Sequence, residues 1–121
     1  MTTLQEVVNA LINDEARVIN QLVDDTKREG LLHFDLSHEP HWGDLPIERI
    51  AYFVSSLEWI CDHLSQETVK PLWFYDEKFF LKTPLFAMNA QGILRLVLMI
   101  ESPVEFKMRN IYVSKNVLER M

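Results

Sequence analysis

The sequence predicts an all-α fold, a compact helical bundle formed by one domain over residues 1–121. Apolar residues recur at the i, i+3, i+4 and i+7 spacing of amphipathic helices through most of the chain. Only three residues are glycine and 48% are hydrophobic, which argues against a long flexible linker. A domain of this length can bury about two-thirds of its extended-chain surface, so we expect it to have its own core.

The first predicted helix begins at Thr2 or Thr3, either of which can cap it, and runs to about Arg28. Gly30 is a usual stop signal. One apolar stripe follows this helix: Leu4, Val7, Val8, Leu11, Ile12, Val18, Ile19, Leu22 and Val23. Glu15 falls on the apolar side, where a carboxylate needs a partner. Either it reaches solvent or an arginine from elsewhere in the chain, or it has a ligand-binding or catalytic role.

The sequence GDLP marks the start of the second predicted helix, with Asp44 as its cap and Pro46 in its first turn. It continues to about Ser65 and is apolar over more than one face, which predicts a central position. Its charged residues are expected to face solvent: Glu48, Arg49, Glu58 and Asp62. Cys61, the only cysteine, cannot form an internal disulfide and is interpreted as a small buried apolar residue in a reducing compartment.

Residues 66–83 are predicted to form an irregular, aromatic-rich connection, either an extended segment or a short hairpin. Five aromatic residues fall within eight positions: Trp73, Phe74, Tyr75, Phe79 and Phe80. They form either a satellite core under the connection or an exposed platform for a ligand or partner.

The final third is predicted to be helical, with a first turn after Pro84 and a helix from about Asn89. The run QGILRLVLMIE is apolar on most sides, as a buried helix would be. Ser102 can cap a short helix to about Arg109, with Pro103 and Glu105 completing the signal. Asn110 can leave that helix in a left-handed conformation.

The C-terminal part also resembles an uncharacterised family of small helical domains in bacterial proteins, some of which follow a helix-turn-helix repressor domain. The resemblance covers residues 72–121 and rests on one set of positions: Pro84, Phe86, Ser102, Pro103, Phe106, Arg109, Asn110, Ile111, Val113 and Leu118. It implies a bacterial domain associated with toxin-antitoxin or regulatory systems, and it carries no established activity. Residues 1–71 leave no room for the helix-turn-helix domain, so inherited DNA binding is not expected.

Charge is unevenly spread along the chain. Residues 1–69 carry 13 acids and 4 bases, giving −9, and residues 70–121 carry 5 acids and 8 bases, giving +3. We expect the two halves to pair with each other or with a second copy. The net charge of −6 disfavours nonspecific nucleic-acid binding. We expect neither a membrane span nor a signal peptide, which predicts a cytoplasmic protein.

Three of the four histidines lie in the stretch HFDLSHEPHW, residues 33–42. With Asp35 nearby, His33, His38 and His41 have suitable chemistry for zinc, although their spacing matches no known metal signature and Pro40 prevents a helical arrangement. The interpretation we favour is a polar loop between helices in which Trp42 packs against the core. A metal-dependent hydrolase centred on these histidines is the alternative.

Arg109 also has two interpretations. Its planar side chain could bind a carboxylate or phosphate, or it could be a structural arginine that binds helix carbonyls or a buried acid such as Glu15. A second alternative function, nucleic-acid binding, would use the basic C-terminal residues, Lys107, Arg109, Lys115 and Arg120.

The sequence contains no GxSxG, Walker, GxGxxG, HExxH or CxxC motif. We therefore expect a non-catalytic regulatory or accessory protein, antitoxin-like in the sense of the resemblance, that forms a homodimer and binds another protein without a cofactor. The predicted partner surface combines the aromatic connection and the basic segment: Trp73, Phe74, Tyr75, Phe79, Lys107 and Arg109.

Overall fold

The computed structural model of the protein describes residues 3–30, 34–87 and 90–118. Within these ranges are five α-helices: α1 (Leu4–Leu11), α2 (Glu15–Glu29), α3 (Ile47–His63), α4 (Ile93–Glu101) and α5 (Val104–Lys107). Two 3-10 helices, Leu72–Tyr75 and Glu77–Phe79, and two short strands, β1 (Leu85–Phe86) and β2 (Ile111–Tyr112), complete the described elements. The predicted all-α fold is confirmed. None of the helices in these ranges has both the length and the apolar character needed to cross a membrane.

The N-terminal segment forms two helices, so the predicted single helix to Arg28 is wrong. Thr3 caps α1 as expected, accepting a hydrogen bond from the backbone N–H of Glu6 at 3.2 Å. Asp14 then caps α2, accepting from the backbone N–H of Arg17 at 3.1 Å. An aspartate at this position offers the backbone an alternative to continuing the helix, which explains the break. Gly30 ends α2 in the left-handed conformation, as predicted.

Helix α3 is the central helix, as the sequence predicts. Ala51, Phe53, Val54, Leu57 and Ile60 are all fully buried, and α3 packs against α2, α5 and the second 3-10 helix. The helix begins after Pro46, which occupies the N-cap position without a side-chain hydrogen bond, so the expected cap at Asp44 is wrong. One core cluster extends from Leu4 in α1 to Leu118 near the C-terminus.

The aromatic connection is neither an extended segment nor a hairpin. Its proline and its aspartate instead begin two consecutive 3-10 helices, with Pro71 and Asp76 at their N-caps. After Leu81, the turn predicted at Pro84 is replaced by strand β1, which pairs in parallel with β2. Leu85 lies opposite Ile111 and Phe86 opposite Tyr112. This small sheet attaches the end of the connection to the C-terminal segment.

The C-terminal segment turns sharply between its elements. Pro103, rather than Ser102, occupies the N-cap of α5, and no side chain of the described residues caps this helix, so the predicted capping box is wrong. The Ser102 hydroxyl is instead directed to the backbone of Leu98 and Val113. Asn110 has φ of 66°, the left-handed conformation that the sequence predicts, and its side chain donates to the Leu81 carbonyl at 3.0 Å.

Candidate functional site

The histidine-rich loop does not bring metal ligands together in the part of the chain that the structure describes. His33 lies outside the described residues. His38 and His41 are both exposed, and the Nδ1 atom of His38 lies 3.0 Å from the Ser37 hydroxyl. His41 exchanges two backbone hydrogen bonds with the Gln5 side chain, at 2.8 and 2.9 Å. Among residues 3–30, 34–87 and 90–118, no three His, Cys, Asp or Glu side chains converge on a common point. Zinc binding by this loop stays a prediction.

Trp42 fixes the loop to the core, as the favoured interpretation expects. Its ring meets Phe53, Trp73 and Phe79 edge-on, with centroids 6.1, 6.1 and 5.9 Å away. Its Nε1–H donates to Glu39 Oε2 at 2.8 Å. The loop therefore covers a cluster of aromatic rings that belongs to the core.

The aromatic residues predicted to bind a partner mostly point inward. Phe74 and Phe79 are fully buried. Trp73 is half-buried, and its Nε1–H donates to the Leu36 carbonyl at 2.7 Å. Tyr75 is 39% exposed. Phe74 and Phe79 therefore belong to the main core rather than to a separate satellite core. Of the aromatic residues predicted to bind a partner, only Tyr75 and the outer edge of Trp73 are accessible at this face.

Arg109 lies at the centre of a buried ion network. Its side chain is 0% exposed, and Nη1 donates to Glu58 Oε1 at 2.6 Å and to the Glu105 carbonyl at 2.7 Å. Nη2 donates to the Phe74 carbonyl at 2.8 Å, which ties the first 3-10 helix to α3 and α5. Arg109 is therefore a structural arginine that binds backbone carbonyls and a buried acid. The buried acid is Glu58 and not Glu15. Glu15 pairs with Arg49 at 2.6 Å, as the expectation of an arginine from elsewhere allows.

Glu58 is also buried, so the expectation that it faces solvent is wrong. Its second oxygen, Oε2, accepts hydrogen bonds from Lys70 Nζ at 3.1 Å and from the Tyr75 hydroxyl at 2.6 Å. Lys70 also pairs with Asp62 at 2.8 Å, and this contact is the main reason that the pKa of Lys70 is raised. Both basic partners come from residues 70–121 and both acids from residues 1–69. The predicted pairing between the two halves of the chain is therefore present.

A second acidic group lies beside this network. Glu105 is 3% exposed, and its Oε1 has no hydrogen-bond partner among the described residues. Burial, followed by the neighbouring Asp62 carboxylate, raises the pKa of Glu105. His63 lies 3.5 Å away but is half exposed and screens this charge only weakly. A protonated Glu105 can donate to Asp62, whereas two carboxylates at this position repel each other.

Replacing Glu105 with glutamine is expected to stabilise the protein at neutral pH. A raised pKa means that Glu105 favours folding below its unfolded-state pKa, and that this contribution is lost as pH rises through the folded-state pKa. Glutamine keeps a donor toward Asp62 at every pH. We expect Glu105→Gln to raise the Tm by about 3 °C or more at pH 7 and to have little effect near pH 4, measured by thermal denaturation.

The exposed acid Glu67 provides the matched control, since Glu67→Gln should leave the Tm unchanged at both pH values. A lower Tm for Glu105→Gln at pH 7 would show that the ionised carboxylate is the stabilising form, contrary to the geometry.

The basic C-terminal segment does not form a continuous basic face in the described residues. Arg109 is enclosed by protein acceptors, and Lys107 donates to the Ile100 carbonyl at the end of α4, at 3.1 Å. Lys115 is exposed, and Arg120 lies outside the described residues. Lys107 thus neutralises a helix C-terminus, which is a common structural position for lysine.

Helix α4 is the unexpected feature of the molecule. The sequence predicts a buried helix here, but within this chain only Leu98 is buried, so that prediction is wrong. Six large apolar residues of α4 are exposed: Ile93 (79%), Leu94 (42%), Leu96 (59%), Val97 (41%), Met99 (43%) and Ile100 (79%). We call these six residues the α4 surface.

The α4 surface is large for a monomer. Its exposed fractions correspond to on the order of 600 Å² of apolar area, at the upper limit of the largest patch on a typical monomer. A standard protein–protein interface takes about 800 Å² from each partner. Charge is sparse here, because the only ionisable residues of α4 are Arg95 and Glu101. An apolar patch of this size favours burial against another surface.

Sequence reasoning missed the α4 surface and the burial of Glu58 for different reasons. The hydrophobic pattern of α4 shows that the helix must be covered, but the pattern is the same whether the cover is this chain or another. For Glu58 a signal was present, because Val54, Ser55, Leu57 and Cys61 surround it on a helix that is buried on all sides. An acid in such a helix indicates a buried basic partner.

Comparison with protein-family models, with curated proteins and with solved structures found no match. The residues and their geometry therefore carry the functional argument.

Proposed function

We propose that this protein is a non-catalytic regulatory or accessory protein that acts by binding another protein through the α4 surface. The observation that carries the proposal is the exposure of Ile93, Leu96 and Ile100, three large aliphatic side chains on one short helix. Full burial of a large aliphatic side chain stabilises a protein by about 1.5–3 kcal/mol relative to leaving the side chain in water. A partner that covers the helix recovers part of this free energy.

The α4 surface supports the proposal better than the partner surface expected from the sequence. In the aromatic connection, Phe74 and Phe79 already fill the core, and Tyr75 is hydrogen-bonded to Glu58. On α4, no side chain except that of Arg95 makes a hydrogen bond or ion pair with the described residues. A partner would therefore displace mainly water, which favours association.

An antitoxin-like role in the bacterial cytoplasm belongs to the same proposal. It is supported by the resemblance of residues 72–121 to bacterial regulatory domains. The single thiol, Cys61, is 2% exposed and burial raises its pKa to about 12, which fits a structural role in the core. Such a thiol stays protonated and unreactive.

Site-specific photo-cross-linking in the producing cell tests the proposal. A photoreactive amino acid at Leu96 is expected to form a covalent adduct with a protein chain on irradiation. The same amino acid at Leu72, which is 89% exposed on the first 3-10 helix, is the control and should give no adduct. Absence of a protein adduct at Leu96 would overturn the proposed function.

A further inference from the structure

We propose that the partner covering the α4 surface is a second copy of this chain, docked antiparallel across a two-fold axis that passes between Leu96 and Val97. This inference rests on the proposed function, because it names the partner of the same surface. The argument depends on the spacing of the exposed residues, their identities, the charges around them and the available area.

The exposed residues form a stripe suited to helix pairing. Ile93, Leu96, Val97 and Ile100 follow the i, i+3, i+4, i+7 spacing, so their side chains lie along one face of α4. Leu98, the buried residue of the helix, lies on the opposite side and attaches α4 to its own chain. The stripe therefore faces outward as a whole, and a second helix can lie along it.

The stripe is nearly identical when read in reverse. In an antiparallel pair, Ile93 of one copy lies opposite Ile100 of the other, and Leu96 lies opposite Val97. The two end residues are chemically the same and equally exposed, at 79% each. A two-fold symmetric interface requires a surface that is complementary to itself, and this stripe meets that condition.

The charges of α4 do not oppose this arrangement. Arg95 is directed to its own chain, with Nε donating to the Ala90 carbonyl at 2.8 Å and the guanidinium 4.7 Å from the Phe86 ring centroid. Glu101 follows the last residue of the stripe. In the antiparallel pair the two Glu101 residues are separated along the helix axis by roughly 13 Å, which exceeds the Debye length of about 8 Å at physiological ionic strength.

The area is sufficient for a small symmetric dimer. Complete burial of both α4 surfaces would remove on the order of 1,200 Å² from water, which is the lower limit of the standard range. Homodimer interfaces are more apolar than transient ones, as this surface is. A membrane surface fits less well, because interfacial helices carry several lysines or arginines on their polar face and α4 has only Arg95.

The test uses two charged variants of the full chain, Ile93→Lys and Ile100→Glu, and their combination. Sedimentation equilibrium should give a dimer of the 14.3 kDa wild-type chain. Each single variant places a charge opposite an isoleucine and should weaken dimerisation by about 30-fold or more. In the double variant, the introduced lysine of each copy lies opposite the introduced glutamate of the other. Dimerisation should then recover to within about tenfold of wild type, with a new dependence on salt.

Both substituted residues are highly exposed, so the monomer is expected to fold, and far-UV circular dichroism checks this. Leu72→Glu, at a comparably exposed apolar residue, should dimerise like wild type. A double variant weaker than either single one would overturn the antiparallel arrangement, since parallel copies would face lysine with lysine. A monomeric wild-type chain would overturn the dimer but would leave the proposed function intact if Leu96 still cross-links to a different protein.

Discussion

Replacing Arg109 with methionine is expected to lower the free energy of unfolding by about 3–5 kcal/mol, the usual cost of breaking a buried ion pair by removing one partner. Arg109 is fully enclosed and holds Glu58 Oε1 together with the carbonyls of Glu105 and Phe74. Methionine fills a similar volume but leaves all three acceptors without this donor. Lys70 and Tyr75 still donate hydrogen bonds to the other oxygen of Glu58, so the negative charge of the carboxylate is partly compensated.

Urea denaturation measures this loss, which is a large fraction of the about 5–15 kcal/mol that stabilises a domain. Arg17→Met is the matched control, because Arg17 is 77% exposed and its removal should cost less than about 0.5 kcal/mol. Adding Glu58→Gln to Arg109→Met should recover part of the loss, since the buried charge is then absent. Equal stability of the Arg109→Met and Arg17→Met proteins would contradict the role assigned to Arg109.

Lysine at the same position provides a finer test of the geometry. The Arg109 side chain uses two nitrogens to reach α3 and the first 3-10 helix at the same time. A lysine retains the charge but carries a single nitrogen on a flexible chain. Arg109→Lys should therefore fall between wild type and Arg109→Met in stability, and a value equal to wild type would show that charge alone is needed.

The sequence predicted the positions and ends of several helices more accurately than the long-range contacts that those helices make. Periodicity located α3 and its burial, Gly30 marked the end of α2, and Asn110 marked a left-handed turn. These features depend on residues within a few positions of one another. The break at Asp14 was missed because a continuous apolar stripe outweighed a local capping signal.

The candidate site was less predictable because it depends on residues far apart in the chain. Glu58 and Arg109 are separated by 51 positions, and either could have been assigned to solvent or to another partner. The exposure of α4 could not be predicted for a different reason. The hydrophobic pattern of α4 predicts that Ile93, Leu96 and Ile100 are buried. Only the tertiary structure shows that they are exposed.

The residues on which the predicted resemblance rests connect the elements of the C-terminal segment to one another and to α3. Phe106 is fully buried, with its ring centroid 5.3 Å from that of Tyr52 in α3, Arg109 binds Glu58, and Asn110 makes the left-handed turn. Ser102 links the end of α4 to the segment after β2. A set of residues that includes serine, arginine and asparagine could indicate a binding site. Here the Ser102 hydroxyl, two nitrogens of Arg109 and the Asn110 amide instead bind the backbone or side chains of the same chain, and Arg109 Nε has no partner among the described residues.

Ser102→Ala is accordingly expected to cost about 2–4 kcal/mol, a large effect for the loss of one hydroxyl group, because each buried backbone group left without a partner costs about 1–3 kcal/mol. The Ser102 Oγ accepts from the Val113 N–H at 2.8 Å, lies 2.9 Å from the Val113 carbonyl oxygen, and also contacts the Leu98 carbonyl. Val113 is 1% exposed, so water cannot replace the hydroxyl there.

Urea denaturation of Ser102→Ala measures this cost, and Ser114→Ala is the matched control. Among the described residues, the Ser114 hydroxyl accepts one long hydrogen bond, from the exposed Asn116 N–H at 3.4 Å, so its removal should change stability by less than about 0.5 kcal/mol. The contact between Ser102 and Val113 also predicts which part of the domain loses stability in this variant. Because Ser102 joins α4 to the chain after β2, amide hydrogen exchange in Ser102→Ala should increase first around Val113 and the end of α4. Uniform exchange throughout the domain would mean that the hydroxyl supports global stability without holding α4 in place.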